Sequence, residues 1–346
     1  MIPKIVRRGL PLLPLAALAG CNTVVMNPTG DIAKQQADLI TISVLLMLII
    51  IVPVMILTVL FAWRYRKNAN AKYEPDWDHS TKLELVIWGA PLLIIIVLGL
   101  ITWVSTHKLD PYRPLDRIDE NRPIPASTKP LEVQVVALDW KWLFIYPEQG
   151  IASVNELVTP VDVPVRFKIT SSTVMNTFYI PTLAGMIYAM PGMETTLNAV
   201  LNKPGDYKGI SANFSGEGFS HMYFAYKGVS AGEFDAWVQK MKTNPGVLNR
   251  ADYLSLEKPS VREPVRYYGS VEPALFNRVL NRCVAEGSVC MNQQMADDHK
   301  RNQMAAEIRK LQKNPAAQVA NAELEMCVTP EGQAASPVTP NNIVKK

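Results

Sequence analysis

Leu39-Ile-Thr-Ile-Ser-Val-Leu-Leu-Met-Leu-Ile-Ile-Ile-Val-Pro-Val-Met-Ile-Leu-Thr-Val-Leu-Phe-Ala-Trp63 is the stretch on which the fold turns. It carries no charged side chain, and about 20 apolar residues in a helix cross the roughly 30 Å of a bilayer core. A helix on the surface of a soluble domain would show a polar face at helical spacing, and none is present here. Residues 39–63 therefore predict a first transmembrane helix. Pro53 is tolerated inside it at the cost of a kink. Residues 85–106 repeat the pattern with an internal Pro91, and predict a second. Trp63, Trp88 and Trp103 fall at or near the expected headgroup levels, as aromatic belts do.

The connection, residues 64–84, carries Arg64, Arg66, Lys67, Lys72 and Lys82. The positive-inside rule makes it a cytoplasmic loop and puts both ends of the mature chain outside. Upstream, residues 1–20 read as a signal peptide: a basic start at Lys4, Arg7 and Arg8, then an apolar run too short to span. It ends in Leu18-Ala-Gly-Cys21, which resembles a bacterial lipoprotein cleavage site. That resemblance implies a lipid on Cys21 and an external N-terminal segment, residues 21–38. An ordinary signal peptide followed by chance by a cysteine is the alternative. The reading is thus of a multi-pass lipoprotein of the bacterial inner membrane, with both mature termini periplasmic and membrane lipids around its helices.

Over all 346 residues the chain is 48% hydrophobic and 19% charged, with net charge +4. This excludes a disordered polyelectrolyte, and no dense basic stripe marks a nucleic-acid surface. The mean hydropathy of +0.05 suits neither a soluble enzyme nor a bundle of spans. It is an average over a leader, two spans and a polar external part.

That external part begins with residues 107–130, rich in proline and charge, which read as an extended linker. Strand signals follow. Val165-Arg-Phe-Lys-Ile-Thr170 alternates strictly, and turn residues recur at 147–150, 202–206 and 215–218. Short strands at this spacing favour an antiparallel sandwich or barrel over residues 131–229. Residues 230–313 form a helical extension with amphipathic stretches at 233–241, 273–284 and 297–313, and residues 314–346 read as a flexible tail. The fold class is membrane α plus all-β.

Two spans before a β-domain, with Asp139-Trp-Lys-Trp142, Val174-Met-Asn-Thr-Phe178 and Ser215-Gly-Glu-Gly-Phe219, resemble subunit II of the haem–copper oxidases. The match is closer to the cytochrome o (bo-type) ubiquinol oxidase branch. Trp140-Lys-Trp-Leu-Phe-Ile-Tyr-Pro-Glu-Gln-Gly-Ile151 is especially specific for it. The resemblance implies a cupredoxin-like β-barrel. In the cytochrome c oxidase branch that barrel holds two copper ions, on a strand-end His and a Cys-x-Glu-x-Cys loop continuing to His and Met. Here Asn176 stands for the His, and Ser215 and Phe219 stand for the two cysteines. Copper of this kind needs soft thiolates, so no metal or other cofactor is expected in this chain. His221 and Met222 read as an exposed His beside a core Met. Met175, Met186, Met190 and Met193 read as core filler rather than a copper relay.

By the same resemblance, haems and one copper belong to subunit I, the main partner, with subunits III and IV beside it. Ubiquinol is the substrate of the complex and oxygen is reduced to water. This chain braces subunit I without catalysing, and Trp140, Trp142 and Phe144 pack the barrel and its interface with that subunit. Glu84 opens the second span, where a carboxylate suits a helix N-terminus. The residue alone reads as an ordinary first-turn Glu; the resemblance implies the mouth of the K proton channel. His79 reads as a solvated loop residue. Cys283, Cys290 and Cys327 permit three disulfide pairings. Cys283–Cys290 is favoured, with free thiols the alternative. Two other functions compete: a copper-bearing electron-transfer subunit of a cytochrome c oxidase, and a lipid-anchored binding or sensor protein with no oxidase partner.

Overall fold

The computed structural model describes residues 23–67, 76–125 and 127–312. The signal peptide, Cys21, the tail and Cys327 lie outside the described residues. The chain divides into two compact units, residues 1–288 and 289–346.

In the first unit, helices α1 (Asp31–Arg64) and α2 (Thr81–Lys108) are both long and apolar enough to cross a membrane. Almost every side chain on them is exposed, as spans awaiting lipid or a partner must be. The buried residues of α1 are Asp31, Ala33 and Ala37, all at its start. A helix of 34 residues is about 50 Å long, more than a bilayer core requires. Its first two turns therefore extend beyond the expected span of 39–63 and pack on the β-domain.

Residues 107–130 are not an extended linker. α2 runs on to Lys108, and β1 (Arg117–Asp119) and β2 (Arg122–Pro123) form a small hairpin. Charge holds it in place: Arg117 Nε lies 2.9 Å from the buried Asp31 Oδ2, and Arg122 grips Asp162 with two bonds of 2.9 and 2.8 Å. The Asn198 amide donates to the carbonyls of Pro111, Tyr112 and Arg113. Proline-rich composition hid a segment ordered by ion pairs rather than by hydrophobic periodicity.

The β-domain consists of β3 (Leu131–Leu138), β4 (Lys141–Tyr146), β5 (Ile151–Val154), β6 (Glu156–Pro160), β7 (Pro164–Ser171), β8 (Asn176–Tyr179), β9 (Ile187–Ala189), β10 (Thr195–Val200), β11 (Gly205–Ser211) and β12 (Tyr223–Val229). With a later strand, β14 (Arg266–Tyr268), they build a six-stranded sheet, β10-β7-β3-β4-β5-β14, and a five-stranded sheet, β6-β12-β11-β8-β9. Most neighbours are antiparallel, as expected, but β3–β7 and β6–β12 are parallel. The cause is connectivity: the β4–β5 hairpin and β6 intervene between β3 and β7, so the chain returns in the direction it left.

Alternation works as read for β7, whose Val165, Phe167 and Ile169 face the core between the sheets. β4 does not alternate, because all six of its residues are buried. Trp142, Phe144 and Tyr146 face the main core, while Leu143 and Ile145 face a second core on the sheet's outer side. That second core is supplied by the extension, through Leu248, Tyr253, Leu256, Leu275, Phe276 and Val279. The extension therefore packs directly on the domain of residues 131–229 and covers its outer face. β14 (Arg266–Tyr268) pairs with β5 as the sixth strand of the large sheet.

Within the extension α3 (Ala231–Lys242) starts in a capping box formed by Ser230 and Glu233. β13 (Val247–Leu248) pairs with β15 (Ser270–Val271). α4 (Arg250–Glu257), absent from the sequence reading, is capped by Asn249, whose side chain accepts from the Asp252 N–H. The helix expected at 273–284 is limited to α5 (Leu275–Leu280). Lys141 on β4 is 1% exposed and binds the Lys258 carbonyl and the Ser260 hydroxyl at 2.8 and 2.7 Å, fastening the extension's loop to the sheet. Burial pushes its ammonium below the ordinary lysine range. In the second unit α6 (Met291–Gln312) begins six residues before the expected 297.

Replacing Arg117 by Ala leaves the Asp31 carboxylate buried without its cation. With the guanidinium 34% open to solvent, the expected loss is about 2 kcal/mol. Tryptic cleavage within 109–130 of the purified, membrane-extracted protein should accelerate several-fold, and Arg117→Lys should restore part of the resistance.

Candidate functional site

Two places carry the chemistry read from the sequence. The first is the loop end of the β-domain, where β3 turns into β4, β7 leads into β8 and β11 leads into β12. Asn176, the first residue of β8, is 1% exposed. Its amide donates to the Val174 carbonyl at 3.2 Å, and its Oδ1 accepts from the Ser211 hydroxyl at 3.3 Å. The Ser215 hydroxyl points to the Met222 sulfur at 3.9 Å. Phe219 opens a 3-10 turn and packs edge-on against Phe214 at 5.5 Å.

The loop 215–219 is closed by Trp140. This residue sits in the β3–β4 turn at φ 64°, in the left-handed region, and its indole N–H donates to the Ser215 carbonyl at 3.1 Å. The ring lies against Gly218 so closely that a Cβ there would stand 2.4 Å from it. Trp142 and Phe144 point the other way, into an aromatic core with Phe178 and Phe224. All three aromatics expected to pack the barrel do so, Trp142 and Phe144 inside the core and Trp140 against it, where Trp140 also seals the loop.

Neither thiolate nor imidazole stands at the three positions Asn176, Ser215 and Phe219. Their donors are an amide and a hydroxyl already engaged within the protein, and a phenyl ring offers none. A thiolate-bridged copper pair does not fit this set. Among the described residues no group of three or more His, Cys, Asp or Glu converges. Met222 is buried as expected, but His221 is half-buried rather than exposed, 3.3 Å from Arg262. Of the other four methionines Met190 is half-buried, and the remaining three are not core filler. Met175, Met186 and Met193 are exposed, together with Val174 and Phe214. They sit in loops, where apolar periodicity carries no information about burial.

The second place is the start of α2. Glu84 lies in its first turn, and its Oε1 is 2.7 Å from His79 Nδ1. The other ring nitrogen of His79 is 3.1 Å from the Thr81 hydroxyl. Both side chains are open to solvent. His79, read as a solvated loop residue, is solvated and in the loop, and it is also Glu84's direct partner. The sequence signal was their five-residue spacing across a helix start, which lets the residue before the N-cap fold back on the first turn. An imidazole and a carboxylate in contact can hand a proton between them.

Residues 131–229 match the family model of the cytochrome c oxidase subunit II periplasmic domain, and residues 242–287 that of the COX aromatic-rich motif. Cytochrome bo(3) ubiquinol oxidase subunit 2 of Pseudomonas putida is 49% identical over 79% of this chain and 84% of that one. The chain belongs to the ubiquinol oxidase subunit 2 family.

Ubiquinol oxidase subunit 2 of Acetobacter aceti is likewise 49% identical, over 81% of this chain and 89% of that one. Among solved structures, the periplasmic domain of subunit II of cytochrome oxidase from Bradyrhizobium japonicum is 26% identical over 32% of this chain and 91% of that one, with TM-score 0.31. The aromatic-rich match covers the extension that buries the outer face of the large sheet, so the family pattern continues past residue 229.

Trp140→Phe removes one N–H donor and should cost about 1 kcal/mol; Trp140→Ala also leaves a void and should cost more. Hydrogen exchange of residues 213–222 should rise in that order, with the exchange of β4 unchanged.

Proposed function

We propose that this chain is the non-catalytic subunit II of a proton-pumping ubiquinol oxidase of an aerobic respiratory chain. The observation that carries the reading is the pairing of close identity to ubiquinol oxidase subunits with a copper loop whose ligand positions are Asn176, Ser215 and Phe219. Quinol electrons then pass to the haems and copper of subunit I without a relay in this chain. Its contribution is mechanical and electrostatic. The exposed faces of α1 and α2 pack in the membrane beside subunit I, and the apolar loop end bearing Val174, Met175 and Phe214 caps it. Subunits III and IV complete the assembly. Cys21 carries the lipid anchor, and both mature termini are periplasmic. The favoured pairing of Cys283 with Cys290 suits an oxidising compartment.

Metal and haem content of the intact complex is the test. One copper per complex, no near-infrared band of a binuclear copper centre, and turnover with ubiquinol rather than cytochrome c are expected. Extra copper with that band would establish the copper-bearing alternative. Recovery of the chain without any haem-bearing subunit in mild detergent would establish the sensor reading.

Glu84 with His79 forms the cytoplasmic mouth of the K channel. Glu84→Ala should lower oxygen-reduction turnover about tenfold or more, within the range typical of a lost proton-transfer group, while haem content and assembly stay intact. Glu84→Asp should recover part of the rate. Unchanged turnover in Glu84→Ala would reduce Glu84 to an ordinary first-turn residue.

A further inference from the structure

A cavity of about 250 Å³ opens where both apolar helices meet the β-domain. It is lined by the start of α1, by the end of α2 and the segment that follows it, and by the β8–β9 connection. Its charges balance: Lys108, Arg113 and Arg117 stand against Asp31, Asp110 and Asp116. Arg117 commits its Nε to Asp31, and Arg113 commits one terminal nitrogen to Asp116. Each guanidinium keeps further N–H donors, and Lys108 makes no ion pair among the described residues. Apolar wall is supplied by Leu109 and Met186 among others.

The location is as telling as the lining. The apolar run of α2 ends at His107, so Lys108 stands at the first position beyond hydrocarbon. An anion alone would meet three carboxylates here, and a cation alone three bases. A group carrying both signs, with an apolar tail toward the helices, meets neither objection.

We propose that this cavity binds the headgroup of a zwitterionic phospholipid with a primary ammonium, an ethanolamine phospholipid. Its phosphate accepts from Lys108 and Arg113, its ammonium donates to the carboxylate side of the lining, and its acyl chains lie along α1 and α2. A choline headgroup, without N–H donors, is the poorer ligand, and a glycerol headgroup brings no cation to Asp110, the lining carboxylate without an ion pair among the described residues. The bound lipid would join membrane, hairpin and β-domain at the level where the first span leaves the domain. The assignment goes beyond the oxidase reading and stands without it.

The test is photo-crosslinking of the purified complex in nanodiscs containing a trace of diazirine-bearing ethanolamine phospholipid, followed by peptide mapping. Label is expected on residues 109–117, displaced by unlabelled ethanolamine lipid and not by choline lipid. Lys108→Gln with Arg113→Gln removes charge-assisted bonds and should reduce that label about tenfold or more. Met186→Trp, which fills the cavity without touching a charge, should do the same if the charge variants assemble poorly. Absence of label on 109–117, equal label from choline or glycerol analogues, displacement by inorganic phosphate alone, or crosslinks from another subunit filling the cavity would each overturn the assignment. Ubiquinol turnover measured in parallel reports separately on the oxidase reading.

Discussion

The relation between the first membrane helix and the β-domain is set by a backbone contact at a single glycine. Gly30 bridges Leu201 and donates its N–H to the Thr182 carbonyl at 3.1 Å. A Cβ at this position would stand 2.7 Å from the carbonyl oxygens of both Leu183 and Val200, so only glycine permits the approach. The helix begins at the next residue, and that residue, Asp31, buries its carboxylate against Arg117 of the hairpin. The hairpin is held in turn through Arg122 to Asp162 and by the Asn202 amide on the Ile118 carbonyl. The first span therefore leaves the domain as its continuation and not as a tether.

A second constraint acts inside the sheet. β4 is buried on both faces, so the large sheet needs a cover on its outer side as well as a partner sheet on its inner side. The extension supplies that cover, with β14 completing the sheet edge and the Lys141 ammonium bound to the loop that leads to it. A barrel cut off at residue 229 would expose Leu143 and Ile145 to water, at about 25 cal/mol for each Å² uncovered.

The strongest periodic signals survive contact with the structure, and the reasons for failure are local. Both spans lie inside α1 and α2 because charge-free length leaves no alternative. The strictly alternating strand at Val165 holds because one of its faces is core and the other is partly wet. Burial on both faces erased that alternation in β4. The linker and α4 were missed because ion pairs and an Asn cap, not apolar spacing, fix them. At the site, the residue types at 176, 215 and 219 were legible as a donor set. What Trp140 does there was not, since its role rests on a left-handed turn that brings distant segments together. His79 is the solvated loop residue it was read as; its contact with Glu84 lies around a helix start, a geometry that one-dimensional spacing shows only once the N-cap is placed.

Partner identity separates Glu84 from the chain's other placed carboxylates. Asp31 meets a guanidinium and Glu156 meets the Lys227 ammonium at 2.7 Å. Both pairs join segments distant in sequence and act as fastenings between them. Glu84 meets the His79 imidazole at 2.7 Å instead. Exposure matters as much as the partner, since protons can exchange with bulk water only where water reaches the pair, and both side chains are at least half open. A fastening between segments gains from burial, and the buried Asp31 and Glu156 have it; Glu84, half open to water beside His79, stands in a different environment.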